Sequence, residues 1–153
     1  MRAPQAKLKE NQMDIKIPTT IEEWNDIGKD YLFDRLGIIF ETVEPEEVIA
    51  SFKVEKHHQA WNGFLHAGSI VSLADSACGY GTVRNLLQGA TGFTTIELKS
   101  NHLSTAREGV VRCVAQPLHR GRTTQVWDAT VTSEKTEKTL AHFRCTQMIL
   151  WPK

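Results

Sequence analysis

Cysteine is scarce in this chain and badly placed for cross-linking. Cys78, Cys113 and Cys145 are far apart and odd in number, so they make neither a disulfide framework nor a zinc site, and no metal is expected. Excess charge of either sign is also missing. Lysine plus arginine total 18 and aspartate plus glutamate total 18. A general nucleic-acid or membrane-surface binder needs a basic excess, so neither partner is expected. No apolar run approaches the roughly 20 residues of a membrane span. The first ten residues hold no apolar core segment, which sets the expectation of no secretory signal and a reducing cytoplasm. Internal repeats, low-complexity tracts and strand–helix–strand alternation are absent too, and without that alternation a doubly wound parallel sheet is not expected.

What is present is one domain's worth of chain, 153 residues of which 41% are hydrophobic, enough for an ordinary core. Residues 1–17 are polar and unpatterned and read as a loose tail, leaving 18–153 as a single domain. A helix is predicted from Thr19 or Thr20, with Glu22 or Glu23 completing a capping box. Trp24, Ile27, Tyr31, Leu32 and Leu36 repeat at helical spacing, and Gly37 ends the helix. Strands are predicted at 37–43 and 48–54. After a loop, a long helix runs from the turn at 62–66 to about Leu87. Four more strands follow, at 93–101, 110–118, 123–132 and 140–150, with Pro117 marking an edge or a bulge and His119-Arg120-Gly121-Arg122 a tight turn. The order predicts an α+β fold, an antiparallel sheet wrapped around one buried helix.

That helix holds the main puzzle. Ala67, Gly68, Ile70, Val71, Leu73, Ala74, Ala77 and Cys78 leave it no broad polar face, the pattern of a buried helix. Yet Asp75 sits in its middle. A buried carboxylate is paired, protonated or functional; pairing with Arg84 is the structural reading and catalysis the other. Likewise His66 can cap the helix or bind a ligand, and Asn62 can shape the turn or contact a carbonyl. Arg120 and Arg122 can be ordinary solvated turn residues or phosphate ligands. His57 and His58, adjacent with no third ligand near, read as solvated loop residues.

Several motifs occur together in order: His66-Ala67-Gly68, Asp75 within Leu73-Ala74-Asp75-Ser76-Ala77, Thr95-Ile96-Glu97-Leu98, Ala106-Arg107-Glu108-Gly109 and His119-Arg120-Gly121-Arg122-Thr123. In this series the chain resembles the hotdog-fold thioesterases, with its nearest likeness the PaaI-like (phenylacetic acid degradation-related) branch. The resemblance implies a hotdog fold, a homodimer or a dimer of dimers, and hydrolysis of acyl-coenzyme A thioesters with no separate cofactor. It gives Asp75 the role of nucleophile or general base, the Ala67 N–H that of oxyanion donor and His66 that of carbonyl ligand. Asn62 or Gln59 would supplement His66, and Thr95, expected from the partner chain's side, would order a water. Gly68, Arg107, His119, Arg120, Gly121 and Arg122 would bind the coenzyme A portion. The chain departs from the family pattern in three places: His-Ala-Gly for His-Gly-Gly, Ala60-Trp61 where the family often places an amide side chain, with Gln59 and Asn62 on either side, and Gly79 where many relatives carry Ser or Thr. Two other functions fit the same residues: a hotdog hydratase or dehydratase, and a CoA-ester binding protein without turnover.

Helix geometry adds an independent inference. Ala67 and Asp75 are eight residues apart, so roughly 12 Å apart along the axis at ~1.5 Å per residue. One helix cannot present both to the same thioester. Two antiparallel helices, each lending its N-terminus to one site and its Asp75 to the other, can do so in a two-fold dimer.

Overall fold

The computed structural model of the chain describes residues 16–153. The expected N-terminal tail, apart from Lys16 and Ile17, lies outside the described residues, and Ile17 packs against the core. Six strands form one antiparallel sheet in the order β1-β2-β4-β5-β6-β3: β1 Ile39–Val43, β2 Val48–Lys53, β3 Gly92–His102, β4 Val110–Arg120, β5 Thr124–Ser133 and β6 Thr139–Leu150. The long helix, α3 (Ala67–Arg84), lies against one face of this sheet. The predicted α+β fold, a sheet around a central helix, is what the structure shows.

Alternation along the strands sets the packing. On β5, Trp127, Ala129 and Val131 are buried while Val126, Asp128 and Thr130 are half-exposed, the period-2 pattern of a sheet with one covered face. Phe52, Cys113, Phe143 and Cys145 point into the same core, against Ile70, Leu73, Ala74, Ala77 and Cys78 of α3. Close approach has one evident device. A Cβ on Gly81 would stand 2.4 Å from Cη2 of the fully buried Trp127, so glycine is what lets the indole seat under the helix. Gly79 meets Phe93 in the same way at 3.0 Å, which accounts for the missing Ser or Thr side chain there.

The predicted N-terminal helix is two short ones, α1 (Ile21–Asp26) and α2 (Leu32–Arg35). The cap itself forms: Thr20 Oγ1 accepts from the Glu23 N–H, and Glu23 Oε2 accepts from the Thr19 N–H. The break comes at Gly28, whose missing Cβ makes room for Phe33 and the Tyr80 hydroxyl, and at Asp30, which takes φ +68°. As a result Trp24 reaches the core while Ile27, Tyr31 and Leu32 stay exposed. The helix α3 ends at Arg84, capped by Asn85, three residues short of the expected Leu87. His119 and Arg120 belong to β4 rather than to the turn after it. Pro117 lies past the last β2 partner of β4 and beside a bulge against β5, the edge-or-bulge placement that proline favours in a sheet.

Candidate active site

The start of α3 is anchored by a histidine that sequence reasoning placed in solvent. His58 is 1% exposed. Its Nδ1 accepts from the Glu55 N–H (2.9 Å) and its Nε2 donates to the Leu36 carbonyl (2.8 Å). Phe52 stacks on the ring. The His58 carbonyl in turn receives the Ser69 hydroxyl and the His66 N–H, each at 2.9 Å. Two bonds to one carbonyl thus join the loop to the first turn of α3.

His66 is the N-cap residue of α3. Its Nδ1 accepts from the Gly68 N–H at 2.8 Å, which places the ring hydrogen of the neutral tautomer on Nε2, where it can be donated outward. Ser69 N–H goes to the His66 carbonyl. The Ala67 N–H has no partner among the described residues and Ala67 is exposed. It is an open donor at the positive end of a five-turn helix. Capping and carbonyl binding are therefore compatible roles for His66, carried by different ring nitrogens.

The other predicted residues of this end behave differently. Asn62 Oδ1 accepts from the Phe64 N–H (3.2 Å), an Asx turn. Gln59 Nε2 donates to the Arg107 carbonyl (2.9 Å), and the Arg107 guanidinium lies 4.7 Å over the Phe64 ring. So Gln59, Asn62, His66, Ala67, Gly68 and Arg107 gather at the N-terminal end of α3.

Asp75 is half-buried on α3 and makes no ion pair with Arg84 or any other cation among the described residues. Burial pushes its carboxyl above the ordinary 3.8, and the Thr95 hydroxyl at 3.2 Å from Oδ1 pulls the other way. Thr95 thus stands against the Asp75 of its own chain, so the two residues enter any site together. The helix face around Asp75 is small and half-exposed: Gly68, Val71 and Ser72. Behind it lie the buried thiols of Cys78 and Cys113, pushed well up and to about 12 by burial. Among the described residues no group of three His, Cys, Asp or Glu side chains is placed to hold a metal ion.

The basic turn is not at this end. Arg120 pairs with Glu46 (2.7 Å) and donates to the Pro45 carbonyl and to Asn85 Oδ1, so it ties the β1–β2 turn to the far end of α3. Gly121 gives room to the His119 ring, 2.6 Å from where a Cβ would be. Arg122 stacks over Trp151 at 4.9 Å. Within one chain this cluster lies the length of α3, ~25 Å at ~1.5 Å per residue, from the Ala67 N–H.

Two buried amides escaped the sequence reading. Gln125 and Gln147 are 2% and 0% exposed. Gln147 Oε1 accepts from Thr95 Oγ1 at 2.8 Å, and Gln125 Oε1 accepts from the Trp127 Nε1–H at 3.0 Å. The available signal was a glutamine at an inward position of each alternating strand.

Comparisons with known proteins identify the family and the fold. The family model described as the thioesterase superfamily matches residues 62–140. A 1,4-dihydroxy-2-naphthoyl-CoA hydrolase of Listeria monocytogenes is 36% identical over 116 residues, which cover 75% of this chain and 92% of that one. A protein of the same name from Escherichia coli is 35% identical over 118 residues, 76% of this chain and 85% of its own. The crystal structure of a mutant thioesterase from Pseudomonas aeruginosa matches with a TM-score of 0.81 at 32% identity, over 86% of this chain and 94% of that one. A thioesterase structure from Haemophilus influenzae matches with the same TM-score of 0.81 at 26% identity, over 87% of this chain and 92% of that one. By the family match, these relatives and the shared fold, the chain belongs to the thioesterase superfamily and is a hotdog-fold thioester hydrolase.

Proposed function

We propose that the chain is an acyl-CoA thioesterase working as a homodimer with composite sites, each built from the α3 N-terminus of one copy and the Asp75 of the other. The observation that carries this is the separation of the two halves. The open Ala67 N–H and the Thr95-bound Asp75 stand two turns apart on one helix, and the helix face between them (Gly68, Val71, Ser72) is small and half-exposed. Beside Asp75 runs β3, a sheet edge with Ile96 54% and Leu98 42% exposed. A two-fold partner covering both elements brings Asp75 to the neighbouring N-terminus. By the same symmetry the partner's basic turn reaches past the N-terminal end of α3, toward Arg107.

In this reading the thioester carbonyl accepts hydrogen bonds from the Ala67 N–H and His66 Nε2–H. Asp75 takes a proton from water as the water oxygen bonds to the carbonyl carbon. The tetrahedral oxyanion collapses, the C–S bond breaks, and the departing thiolate takes the proton from Asp75. The acid and coenzyme A leave. Direct attack by Asp75, with water cleaving the resulting anhydride, uses the same groups. Arg122 and Arg107 are the phosphate ligands of this proposal, while Arg120 holds the turn that carries Arg122. Two similar proteins carry the name of an aryl-CoA hydrolase, so aryl thioesters head the substrate list.

A subunit-mixing experiment tests the proposal. Asp75→Asn removes the carboxylate; Ala67→Pro removes the N–H at a helix position where proline is tolerated. Each variant alone is expected to release no thiol from a panel of aryl- and acyl-CoA thioesters that the wild-type protein hydrolyses. Mixed after joint refolding, half of the dimers are heterodimers with one intact site of two, so about a quarter of wild-type activity returns under two-fold symmetry. No return of activity from mixtures shown to contain heterodimers refutes the composite site.

A further inference from the structure

Gln147 is a buried polar side chain to which the site as described gives no task. It lies on β6 in register between Thr95 of β3 and Gln125 of β5. Its Nε2 donates to Cys145 Sγ (3.3 Å) and its Oε1 accepts from Thr95 Oγ1 (2.8 Å). The same Thr95 oxygen is 3.2 Å from Asp75 Oδ1. A threonine hydroxyl has one hydrogen and here faces two acceptors. Given to Asp75, the hydrogen leaves the Gln147 carbonyl as an unsatisfied acceptor in a fully buried position. Given to Gln147, it leaves Thr95 presenting a lone pair to Asp75, a contact that is attractive only when Asp75 carries a proton.

We propose that Gln147 is a positioning residue for the thioesterase reaction: by competing for the Thr95 hydrogen it weakens the hold of Thr95 on ionised Asp75 and completes a one-way chain, Asp75 to Thr95 to Gln147, only once Asp75 has taken its proton from water. The proposal rests on the reading of Asp75 as the general base. Its logic is differential stabilisation. With Asp75 ionised, one of the two acceptors goes without; with Asp75 protonated, each group has a partner. The array therefore favours the state that follows proton abstraction, the one resembling the transition state. When the thiolate takes the proton back, the array returns to its starting condition. No cation among the described residues competes for Asp75. Within one chain the titratable neighbours are thiols, Cys78 on α3 itself with Cys145 of β6 and Cys113 of β4 adjoining it, and in the proposed composite site His66 of the second copy joins them. Glu97 and Lys99, further along β3, are exposed.

Gln147→Met tests this, since it keeps the volume and removes the acceptor. The Thr95 hydrogen then turns to Asp75. The acidic limb of the kcat/KM profile against pH is expected to move about one pH unit lower, the size of one hydrogen bond to a charged group. The plateau kcat falls several-fold as the base weakens. In a Thr95→Val background Gln147→Met shifts nothing further. A merely structural role lowers Tm and activity without moving the limb, and that result overturns the proposal; so does a move to higher pH, which would mean that the amide nitrogen faces Thr95. A second readout is the titration of the Asp75 carboxyl by ¹³C NMR, assigned with Asp75→Asn and expected to move lower in Gln147→Met. The NMR arm decides the coupling with or without turnover, so an absence of thioester hydrolysis by the wild-type protein counts against the thioesterase reading alone.

Discussion

Placing one methyl group at Gly81 tests how α3 is seated. The Cβ of Gly81→Ala would lie 2.4, 2.6 and 2.8 Å from Cη2, Cζ3 and Cζ2 of Trp127, against an optimal carbon–carbon separation of about 3.5–4.0 Å. The indole has to recede by about 1 Å or the helix has to rise by as much. Receding is opposed, because Trp127 is fully buried, donates Nε1–H to Gln125 Oε1 at 3.0 Å, and sits in register between Pro117 and Cys145. Overpacking of this kind costs about 3 kcal/mol. Replacing a helical glycine by alanine returns about 1 kcal/mol. The net, about 2 kcal/mol, corresponds to a Tm lowered by ~4–8 °C in a chain of this size. Thermal unfolding followed by circular dichroism, at one fixed protein concentration, measures it. Trp127→Phe removes the outer ring atoms, so in that background Gly81→Ala is expected to be neutral or stabilising, a coupling of ~2–3 kcal/mol between the two positions. A Tm for Gly81→Ala at or above wild type, or an equal penalty in both backgrounds, refutes the close seating. Thioesterase activity follows the same variant, since a lifted helix lengthens the Asp75–Thr95 contact.

Asp75→Asn should stabilise the protein while abolishing turnover. Burial holds the folded carboxyl above its ordinary 3.8, so the native state binds that proton more tightly than the unfolded chain does. The contribution of Asp75 to wild-type stability is then fully present below the unfolded value and is lost as pH rises through the folded one. The variant is accordingly expected to melt above wild type at pH 7, with the gap closing as pH falls toward 4; a variant that melts lower at pH 7 contradicts this. At His66, cap and ligand separate by substitution. His66→Ala loses the Gly68 N–H acceptor and about 0.5–2 kcal/mol, whereas His66→Asn, an effective cap, keeps the wild-type Tm. Both are expected to lose activity, because neither carries the outward Nε2–H, and a fully active His66→Asn refutes that role.

The strands and the central helix were legible because their signals are local. The alternation of Trp127, Ala129 and Val131 against Val126, Asp128 and Thr130 is a property of neighbours along the chain. The N-terminal helix misled for the same reason. Trp24, Ile27, Tyr31 and Leu36 keep helical spacing, but the tertiary demand of Phe33 and Tyr80 for the space at Gly28 broke it. Neighbours along the chain put His58 in solvent, whereas its partners, the carbonyl of Leu36 and the ring of Phe52, come from other elements. In the site, Asp75, His66 and Ala67 stood out as a carboxylate and a helix start in an apolar segment. Gln147 did not, because a single glutamine in a strand is unremarkable until Thr95 is seen across the register from it. Arg120 was grouped with Arg122 by sequence adjacency, and the pairing with Glu46 that separates them is a long-range fact.

The free edge of β3 bears on how this protein is handled. It is eleven residues long, bonded on one side only to β6, and presents Ile96 and Leu98. A long sheet edge, once uncovered, can add to other edges, and Glu97 and Lys99 oppose this only in part beside Ile96 and Leu98. In the proposed dimer, variants that weaken the covering of β3 are therefore expected to leave solution as turbidity instead of yielding tidy monomers, and an expression screen that counts only soluble material will score them as failures of folding when the defect lies in assembly.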